Sequence, residues 1–330
     1  NYGRDRRRVR VVKLRGTSHP TGQHDFRIVT GGIQVFPRLV ATGQHRRFEA
    51  GTISSGVPGL DNLFGGGIDR GSAALFLGPA GCGKSTLATQ YAVAAAARGE
   101  RTGMYIFDER LQTLRHRARG LGMDLTGAED EGLIELRQVD PAELSPGEFS
   151  HILRTTVEDR GLDMVVLDSL AGYVHAMPHE RFLAVHLHEL LGYLVQKGVT
   201  TVMVMSQHGL PGTPRHVPFD LSYVADSVLL FHSYEALGEL RKAISVFKRR
   251  GGAHEAALRE LRLLGPEGIW IGEPLREFRG ITTGTPEGVS ALSDGDEIDA
   301  RIEDVGRMLV DVAERDVRFA DVDVKKGGQD

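Results

Sequence analysis

The sequence predicts an α/β protein with a mainly parallel, twisted sheet and helices on both of its faces. Short apolar runs alternate with longer, partly polar runs between residues 73 and 251, which is typical of strands joined by crossover helices. The runs AALFL and MVVL are apolar at every position, as expected for strands buried on both faces. A glycine-rich loop follows the first run and leads into an alanine-rich segment, which predicts a strand, a tight turn and a helix in succession.

Two strand-forming segments precede this region. Residues 6–16 alternate charged and aliphatic side chains like an edge strand. Residues 26–37 contain two apolar runs around a Thr-Gly-Gly turn, which predicts a hairpin. A polar connector without periodicity, residues 41–51, is interpreted as an interdomain linker.

The alternating region follows a glycine-rich segment, residues 54–72. The strands predicted there are 73–78, 102–109, 133–139, 162–170, 200–207, 225–235 and 242–251, and the helices are 87–99, 111–122, 148–161 and 180–198. Residues 284–330 form an acidic tail with a short amphipathic helix, whose apolar residues are Ile298, Ile302, Val305, Leu309 and Val312. This helix is expected to dock on the protein or on a partner, with an ordinary amphipathic surface helix as the alternative.

Composition limits the classes of function. The 330 residues carry a formal net charge of −4, which gives no support for strong attraction to nucleic acid. The one cysteine, Cys82, cannot form an intramolecular disulfide and fits a reducing compartment. No apolar run approaches the roughly 18 residues that a membrane helix needs. We therefore expect a cytoplasmic protein that binds neither membranes nor nucleic acid.

The segment GPAGCGKS, residues 78–85, satisfies the pattern G-x-x-x-x-G-K-[ST] between a predicted strand and a predicted helix. Such a loop turns its backbone N–H groups toward a phosphate, and the following helix N-terminus adds favourable partial charge. Lys84 is predicted to bridge the β- and γ-phosphates of ATP, and Ser85 to bind Mg²⁺. The nucleotide-binding residues expected here are Gly78, Pro79, Ala80, Gly81, Cys82, Gly83, Lys84, Ser85 and Thr86.

Polar residues at three other strand ends are predicted to complete the site. Asp168 ends a buried strand and is expected to support Mg²⁺, often through water. Asp108 and Glu109 end the strand after the first helix, where an acid can polarise the water that attacks the γ-phosphate. Neighbouring strand residues face opposite ways, so only one is expected to point at the water, and the sequence leaves open which of the two acts as the base. Gln207 ends a later strand, where it either senses the γ-phosphate or faces solvent.

Several sequence blocks together resemble the KaiC branch of the RecA-type ATPases. They are SSGVPGLDNLFGGGIDRGS, GPAGCGKST, the acidic pair in FDE, LDSL, TTVMVMSQ and ADSVLLFHSYEALGELRKAISVFKRRGGAHE, in family order from about residue 52 to residue 272. The last block is the most diagnostic, because RecA and its archaeal relatives share only the glycine-rich segment and the nucleotide loops. The chain is therefore identified as a KaiC-like protein with a RecA-like P-loop NTPase fold.

The resemblance implies a homo-hexameric ring that holds ATP between subunits and hydrolyses it slowly. One subunit would supply the phosphate loop, the Mg²⁺ site and the acids, so that Lys84, Asp108 and Glu109 are catalytic residues in that subunit. Protein partners of the clock or signalling type are implied as well.

The neighbouring subunit would supply a strand with the pattern K-x-R-G-x-x-H. On this strand Lys248 and Arg250 are two residues apart and face the same side. They would act as catalytic cations on the neighbour's phosphates, as an arginine finger does. His254 would help to hold the same nucleotide.

The pattern K-x-R-G-x-x-H also stands near the start of the chain, as KLRGTSH at residues 13–19. Clock members of the family contain two ATPase units in tandem, and the resemblance implies a cropped version of that arrangement. The expected units are the last strands of a truncated first domain at 1–40, the linker at 41–51, a complete second domain at 52–283 and the tail at 284–330.

The sequence departs from clock members of the family at two places. Those members autophosphorylate an adjacent Ser-Thr pair, and the matching residues here are Ser222 and Tyr223. Ser222 is therefore a candidate phosphosite for a serine autokinase, with an ordinary loop hydroxyl as the alternative, and a two-step Ser/Thr cycle is not expected. The acid pair is Asp108-Glu109 where those members have Glu-Glu, which can change the hydrolysis rate or leave Glu109 to carry the reaction.

Two other classes of function stay open. A recombinase-like, DNA-dependent ATPase needs basic mobile loops that face a ring pore. Residues 208–220 could form such a loop, but they contain one arginine and two histidines among prolines, which together with the acidic balance disfavours DNA. A non-catalytic nucleotide-binding module is disfavoured because Lys84, Ser85, Asp168 and Glu109 are all present.

Overall fold

The structure of the protein is a computed structural model that describes residues 5–39, 48–175, 183–206, 223–282 and 287–288. The chain forms two compact units, Asn1–Leu275 with Gly280–Pro286, and Arg276–Arg279 with Glu287–Asp330. Gln207, Ser222 and the amphipathic helix of the tail lie outside the described residues, so the sequence-based statements about them stay predictions.

The described secondary structure consists of short strands and helices, numbered here in chain order. The strands are β1 (Arg7–Val9), β2 (His24–Val29), β3 (Gly32–Phe36), β4 (Thr52–Ile53), β5 (Ile68–Asp69), β6 (Ala73–Gly78), β7 (Thr102–Ile106), β8 (Ile134–Gln138), β9 (Met164–Asp168), β10 (Thr200–Ser206), β11 (Ser227–Ala236), β12 (Glu239–Arg249), β13 (Arg259–Leu263), β14 (Ile269–Pro274), β15 (Phe278–Arg279) and β16 (Glu287–Gly288). The helices are α1 (Pro58–Leu63), α2 (Lys84–Ala97), α3 (Leu111–Gly120), α4 (Leu125–Asp130), α5 (Pro146–Arg160), α6 (Leu170–His175) and α7 (Leu183–Gln196), with a 3₁₀ turn at Gly265–Glu267.

The central sheet has the spatial strand order β14-β13-β12-β11-β6-β10-β9-β7-β8. The strands from β8 to β11 in this order are parallel, and β12, β13 and β14 extend the sheet by antiparallel pairing. Parallel neighbours need crossover connections, and α2 to α7 lie in those connections. The mainly parallel α/β fold predicted from the sequence is therefore confirmed.

Side chains of the central strands alternate between two apolar cores, one on each face of the sheet. In β9, Val166 belongs to the core built with α1–α4, whereas Val165 and Leu167 belong to the core built with α5–α7. Phe76 and Leu75 of β6 divide between the two cores in the same way. Helices thus cover both faces, which explains why the apolar runs of these strands are uninterrupted.

The strands β1, β2 and β3 form a separate antiparallel sheet in the first unit, which packs on α5. Gly147 donates its backbone N–H to Asp25 (2.8 Å), and Arg27 forms an ion pair with Glu148. The predicted hairpin is present as β2 and β3. In the preceding segment only Arg7–Val9 forms a strand, so the edge strand predicted for residues 6–16 is much shorter than expected.

Three helices, α1, α4 and α6, are present where the sequence predicts none. Each has six residues, which is too short to display a 3.6-residue period. α1 begins with Pro58. α4 follows Asp124, whose side chain accepts the N–H of Gly127 (2.9 Å). Local signals at the helix start, rather than periodicity, produce these two helices.

The strand predicted at 102–109 ends earlier, at Ile106, as β7. The last pair of its ladder joins Ile106 to Asp168, which is the last residue of β9. Phe107 still donates its backbone N–H to the carbonyl oxygen of Asp168 (2.7 Å), but β9 ends there. Asp108 and Glu109 therefore lie in the following loop and not on the strand.

Two further pairs of strands, β4 with β5 and β15 with β16, form small antiparallel sheets, the second of them within the second unit. None of the helices in the described ranges combines the length and the hydrophobicity that crossing a bilayer requires.

Candidate active site

The carboxyl ends of β6, β9 and β7 open onto a cleft of about 330 Å³. Only β10 separates β6 from β9 in the sheet, and the crevice at the carboxyl ends of parallel strands is the usual ligand site of such folds. The cleft is lined by Ala80, Gly81, Gly83, Lys84, Ser85, Thr86, Asp108, Glu109, Arg117, Asp168, Ser169, Val204, Ser206 and Leu263.

The phosphate loop connects the end of β6 at Gly78 to the start of α2 at Lys84. Gly83 is the N-cap of α2 and has a φ of 97°, a left-handed conformation that favours glycine. No side chain caps this helix, so its first backbone N–H groups have no side-chain acceptor beside the cleft. This helix start provides the donors and the partial positive charge that bind a phosphate.

Lys84 is 4% exposed, and its ammonium group donates to the carbonyl oxygens of Gly78 (2.9 Å) and Pro79 (2.5 Å). Burial lowers the pKa of Lys84, while Coulomb interactions with Cys82 and Asp168 act in the opposite direction. A buried ammonium whose hydrogen bonds go to neutral carbonyls is strongly stabilised by an anion placed next to it. The environment of Lys84 therefore fits a phosphate group in the cleft.

Ser85 and Asp168 meet inside the cleft, where the Ser85 hydroxyl donates to Asp168 Oδ1 (3.0 Å). Burial raises the pKa of Asp168 to about 6; Ser85 and Arg117 lower it, and nearby carboxylates raise it. A hydroxyl and a carboxylate are the hard oxygen ligands that Mg²⁺ prefers. A dication bound here would favour the charged carboxylate against the cost of its burial.

Asp108 and Glu109 both line the cleft, and each is held by a different partner. Ser169 Oγ donates to Asp108 Oδ2 (2.5 Å), and Arg117 Nη1 donates to Glu109 Oε1 (2.5 Å). The expectation that only one acid points at the water rested on strand geometry, which does not apply because both residues lie in the loop after β7. Which of the two acts stays a prediction. The loop brings both carboxylates to the cleft.

Arg117 is a cleft residue that sequence reasoning missed. It lies on α3, whose sequence LQTLRHRARG contains three arginines and a histidine. Arg115 on the same helix pairs instead with Glu129 (2.8 Å), and the charge pattern gives no signal that separates the two. Ser169 was missed as well, although its position directly after Asp168 could have suggested it.

The available donors fit a nucleotide–Mg²⁺ complex better than a metal ion bound by protein alone. Within the part of the chain that the structure describes, no group of three or more His, Cys, Asp or Glu side chains could hold a metal ion. Mg²⁺ usually binds one or two carboxylates together with phosphate oxygens and waters. Ser85 and Asp168 provide such a partial set directly beside the phosphate loop.

Cys82 belongs to the loop, but its side chain points away from the cleft. It is 1% exposed, and its Sγ lies 3.0 Å from the hydroxyl of Ser233 on β11. Cys82 can therefore contribute its backbone to a bound phosphate, while its side chain packs against the sheet.

The basic strand lies at the other end of the central sheet. Lys248 of β12 is paired with Val228 of β11, and Val228 is paired with Leu75 near the start of β6. The phosphate loop begins only after Gly78. His254 follows the exposed turn beyond β12, is itself partly buried and is likewise absent from the lining of the cleft.

Lys248 and Arg250 contact the same segment, which immediately precedes β11. The Lys248 ammonium donates to the carbonyl oxygen of Ala225 (2.7 Å). The Arg250 guanidinium donates to the carbonyl oxygen of Tyr223 (2.8 Å) and lies 3.4 Å from Asp226 Oδ1. The structure thus brings these two cations together and keeps them apart from the cleft of their own chain.

Comparison with known proteins identifies the family. The family described as "ATPase: KaiC" matches residues 53–276. The chain is 30% identical over 287 residues to the circadian clock oscillator protein KaiC of Thermostichus vulcanus, covering 87% of this chain and 55% of that protein. It is 30% identical over 283 residues to the protein of the same name from Synechococcus elongatus, covering 86% and 54%. The chain spans about half the length of the curated relatives it matches, and it belongs to the KaiC ATPase family.

Proposed function

We propose that this chain binds ATP with Mg²⁺ and hydrolyses it slowly in a hexameric ring, with each nucleotide held between two neighbouring subunits. One observation carries the proposal. The phosphate loop and the acidic side chains share a single cleft, whereas the basic strand lies at the opposite end of the same sheet. Such a chain offers two incomplete halves of a phosphoryl-transfer site, which a neighbouring copy can complete.

The cleft supplies the binding half of the site. Backbone N–H groups of the loop and the ammonium of Lys84 bind the β- and γ-phosphates. Lys84 then replaces its hydrogen bonds to the loop carbonyl oxygens by hydrogen bonds to phosphate. Ser85 and Asp168 would hold Mg²⁺, which neutralises charge on the phosphates when bound. Asp168 is charged in that state, because the dication offsets the cost of burying the carboxylate.

The acid pair supplies the group that orients the attacking water. Asp108 and Glu109 both reach the cleft, and Ser169 and Arg117 restrict their motion through hydrogen bonds. A carboxylate held in place can accept a proton from water as the water oxygen bonds to the γ-phosphorus and the bond from that phosphorus to the ADP leaving group breaks. The two acids have different hydrogen-bond partners, so replacing each by its neutral amide shows which one orients the water.

Lys248 and Arg250 supply the cations for the nucleotide of the neighbouring subunit. Lys248 stands level with Leu75, three residues before the phosphate loop, which corresponds to about 10 Å along β6. A lateral offset of two strands adds to this separation. These cations are therefore badly placed for the nucleotide of their own chain, which favours a role in trans.

Mixing two inactive variants tests the proposal. Lys84→Ala subunits keep the basic strand but lose the lysine of the phosphate loop. Arg250→Ala subunits keep the phosphate loop but lose a cation of the basic strand. Each variant alone is expected to lose ATP turnover, and rings assembled from both are expected to recover part of it. The measurement is phosphate release after mixing, with and without single-stranded DNA. No recovery would contradict the arrangement in trans, and strong stimulation by DNA would favour a recombinase.

Serine autokinase activity is a further part of the proposal, supported by the family and by the residue at the matching position. Ser222 precedes Tyr223, whose carbonyl oxygen accepts a hydrogen bond from Arg250. Incubation with ATP and Mg²⁺ followed by mass spectrometry should detect one phosphate that Ser222→Ala removes. An unmodified wild-type protein would remove the kinase from the proposal and leave the ATPase. Since the relatives are named circadian clock oscillator proteins, the turnover is proposed to serve clock-type or signalling partners in the cytoplasm.

We also propose that residues 1–40 are the last strands of a preceding ATPase unit, with residues 41–51 as the linker and 52–283 as a complete unit. The relatives are roughly one and a half times as long as this chain, which covers 55% and 54% of them. In addition, β2 and β3 pack on α5 with one face, while Ile28 and Ile33 remain 58% and 65% exposed. An apolar pair left exposed in this way is suited to packing against further protein.

A further inference from the structure

Arg249 lies between the two cations of the basic strand but points to the opposite side. Its side chain is 6% exposed, and its guanidinium forms a two-point ion pair with Asp69, through Nη2 to Oδ1 (2.6 Å) and Nε to Oδ2 (3.3 Å). Nη1 donates to the carbonyl oxygens of Phe64 and of Ala253 (3.0 Å). Nearly the whole donor fork is thus used inside the protein.

These contacts join three separate pieces of chain. Phe64 lies at the end of α1, Asp69 lies on β5, and Ala253 lies in the turn that follows β12. The turn is closed further by the backbone N–H of Glu255, which donates to the carbonyl oxygen of Leu63 (3.0 Å). One buried guanidinium therefore attaches the end of the basic strand to the glycine-rich segment before β6.

The turn fits closely over the Asp69 carboxylate. A Cβ atom added at Gly251 would collide with Asp69 Oδ2, so only glycine allows this approach. The position of Gly251, directly after Arg250, means that the same contact restricts the backbone from which the Arg250 side chain projects.

We propose that Arg249 and Asp69 form a positioning pair, which holds Lys248 and Arg250 in the orientation needed to reach the nucleotide of the neighbouring subunit. Lys248 and Arg249 are neighbours on β12 and face opposite ways, and Arg250 follows directly after the strand ends. Fixing Arg249 on one side therefore restricts the backbone from which both cations project. This inference rests on the proposed function, because it assigns a task to the pair only if the cations act in trans.

The chemistry of the contacts suits positioning better than general stabilisation. A buried ion pair gains little net stability over well-packed apolar residues, because desolvation offsets the attraction. A planar guanidinium with a two-point carboxylate partner and two carbonyl acceptors does, however, determine one geometry. A displacement of about 1 Å at a reacting group can cost on the order of 10²-fold in rate.

Arg249→Met tests the pair, since methionine fills part of the space without donors. We expect kcat for ATP hydrolysis to fall about 10²-fold, with no change in the Kd of a fluorescent ATP analogue, because the cleft is untouched. Mixed rings give the decisive readout. Arg249→Met subunits should recover activity with Lys84→Ala subunits, as Arg250→Ala subunits do, and should not recover it with Arg250→Ala subunits.

Arg241→Met is the matched control, because Arg241 lies on the same strand and pairs with Glu239 and Glu260 near its other end. It should leave kcat unchanged. Asp69→Asn keeps the carbonyl contacts of Arg249 but removes the charge and one of the two acceptor oxygens. It should give a smaller loss with the same mixing pattern even if Arg249→Met fails to fold.

Three results would overturn the positioning role while leaving the proposed function intact. The first is a wild-type kcat in both pair variants. The second is a raised Kd for the ATP analogue. The third is that a folded pair variant fails to recover ATP turnover with Lys84→Ala although Arg250→Ala recovers it. If Arg250→Ala itself fails to recover, the arrangement in trans falls, and the positioning role falls with it.

Discussion

The two ends of the central sheet carry opposite chemistry. At the carboxyl ends of β6, β7 and β9, three carboxylates and a buried lysine surround an open cleft. At the end of β12, beside the start of β6, Lys248 and Arg250 rest on backbone carbonyl groups of their own chain. In the proposed function the acidic end binds the nucleotide and its metal, whereas the cations that would assist phosphoryl transfer lie at the far end. If the proposed function is right, one chain holds both parts of a catalytic site in positions where they cannot meet.

The largest effect is expected at the basic end. The double variant Lys248→Ala/Arg250→Ala should lower kcat by roughly 10³-fold or more, the range seen when an arginine finger is lost. Affinity for ATP should change far less, because the phosphate loop belongs to the other end. Single-turnover kinetics together with nucleotide binding measures both quantities. A loss of binding as large as the loss of turnover would contradict the assignment of nucleotide binding to one end and of catalytic cations to the other.

The second effect separates the two acids within the cleft. Asp108→Asn and Glu109→Gln keep size and hydrogen bonding but remove basicity. The acid that orients the water should lose about 10²- to 10⁴-fold in kcat on replacement, and the other should lose much less. Phosphate release under saturating ATP distinguishes them. Equal small losses would mean that neither acid is the base.

The third effect is a pH dependence of stability that arises from Asp168 in the cleft. Burial raises the pKa of Asp168 to about 6, so the folded protein takes up this proton at a higher pH than the unfolded chain does. In EDTA and without nucleotide, the free energy of unfolding should therefore rise as the pH falls from 7 through 6. The increase should be complete near pH 4, and this group should contribute up to about 3 kcal/mol. Urea denaturation across this range measures the trend, and Asp168→Asn should flatten it.

Nucleotide binding should show the opposite trend. A protonated Asp168 cannot support Mg²⁺, so affinity for ATP with Mg²⁺ should weaken as the pH falls through 6. If the stability slope survives unchanged in Asp168→Asn, another group is responsible for it.

The smallest effect is expected from Cys82, which lies in the phosphate loop but faces β11. Cys82→Ala should cost roughly 1 kcal/mol of stability, a common value for a buried substitution, and should leave kcat and KM within error. Thermal unfolding and steady-state kinetics check both statements. A large change in KM would show that the side chain, and not only the backbone, influences the phosphate site.

Much of the fold could be predicted because its signals are local. The strands β6 and β9 contain uninterrupted apolar runs, and the long helices α2, α5 and α7 extend over enough residues to be recognised from their patterns. The helices α1, α4 and α6 could not be predicted in this way, because six residues show no periodicity. The early end of β7 depends on where its partner β9 stops, which is not a property of residues 102–109 alone.

The candidate site was likewise predictable only where its residues belong to a local sequence pattern. The phosphate loop is one contiguous segment, so its pattern identifies it. Arg117 and Ser169 were missed, because nothing in their local sequence shows that loops and helices from different strands converge on them. Gly78 shows the same limit: an added Cβ would collide with the carbonyl oxygen of Phe231 on β11, a contact that no local pattern reveals.

The sequence by itself determined that this chain contains a strand, a phosphate loop and a helix in succession, acids after two further strands, and a K-x-R-G-x-x-H segment. These features are set by consecutive residues and by the geometry of single elements. Only the tertiary structure decided that the acids share the cleft with Lys84, and that Lys248 and Arg250 lie at the opposite end of the sheet. The physical reason is strand order, because β6, β10, β9 and β7 are neighbours in space but not in sequence, and packing over the whole sheet sets that order.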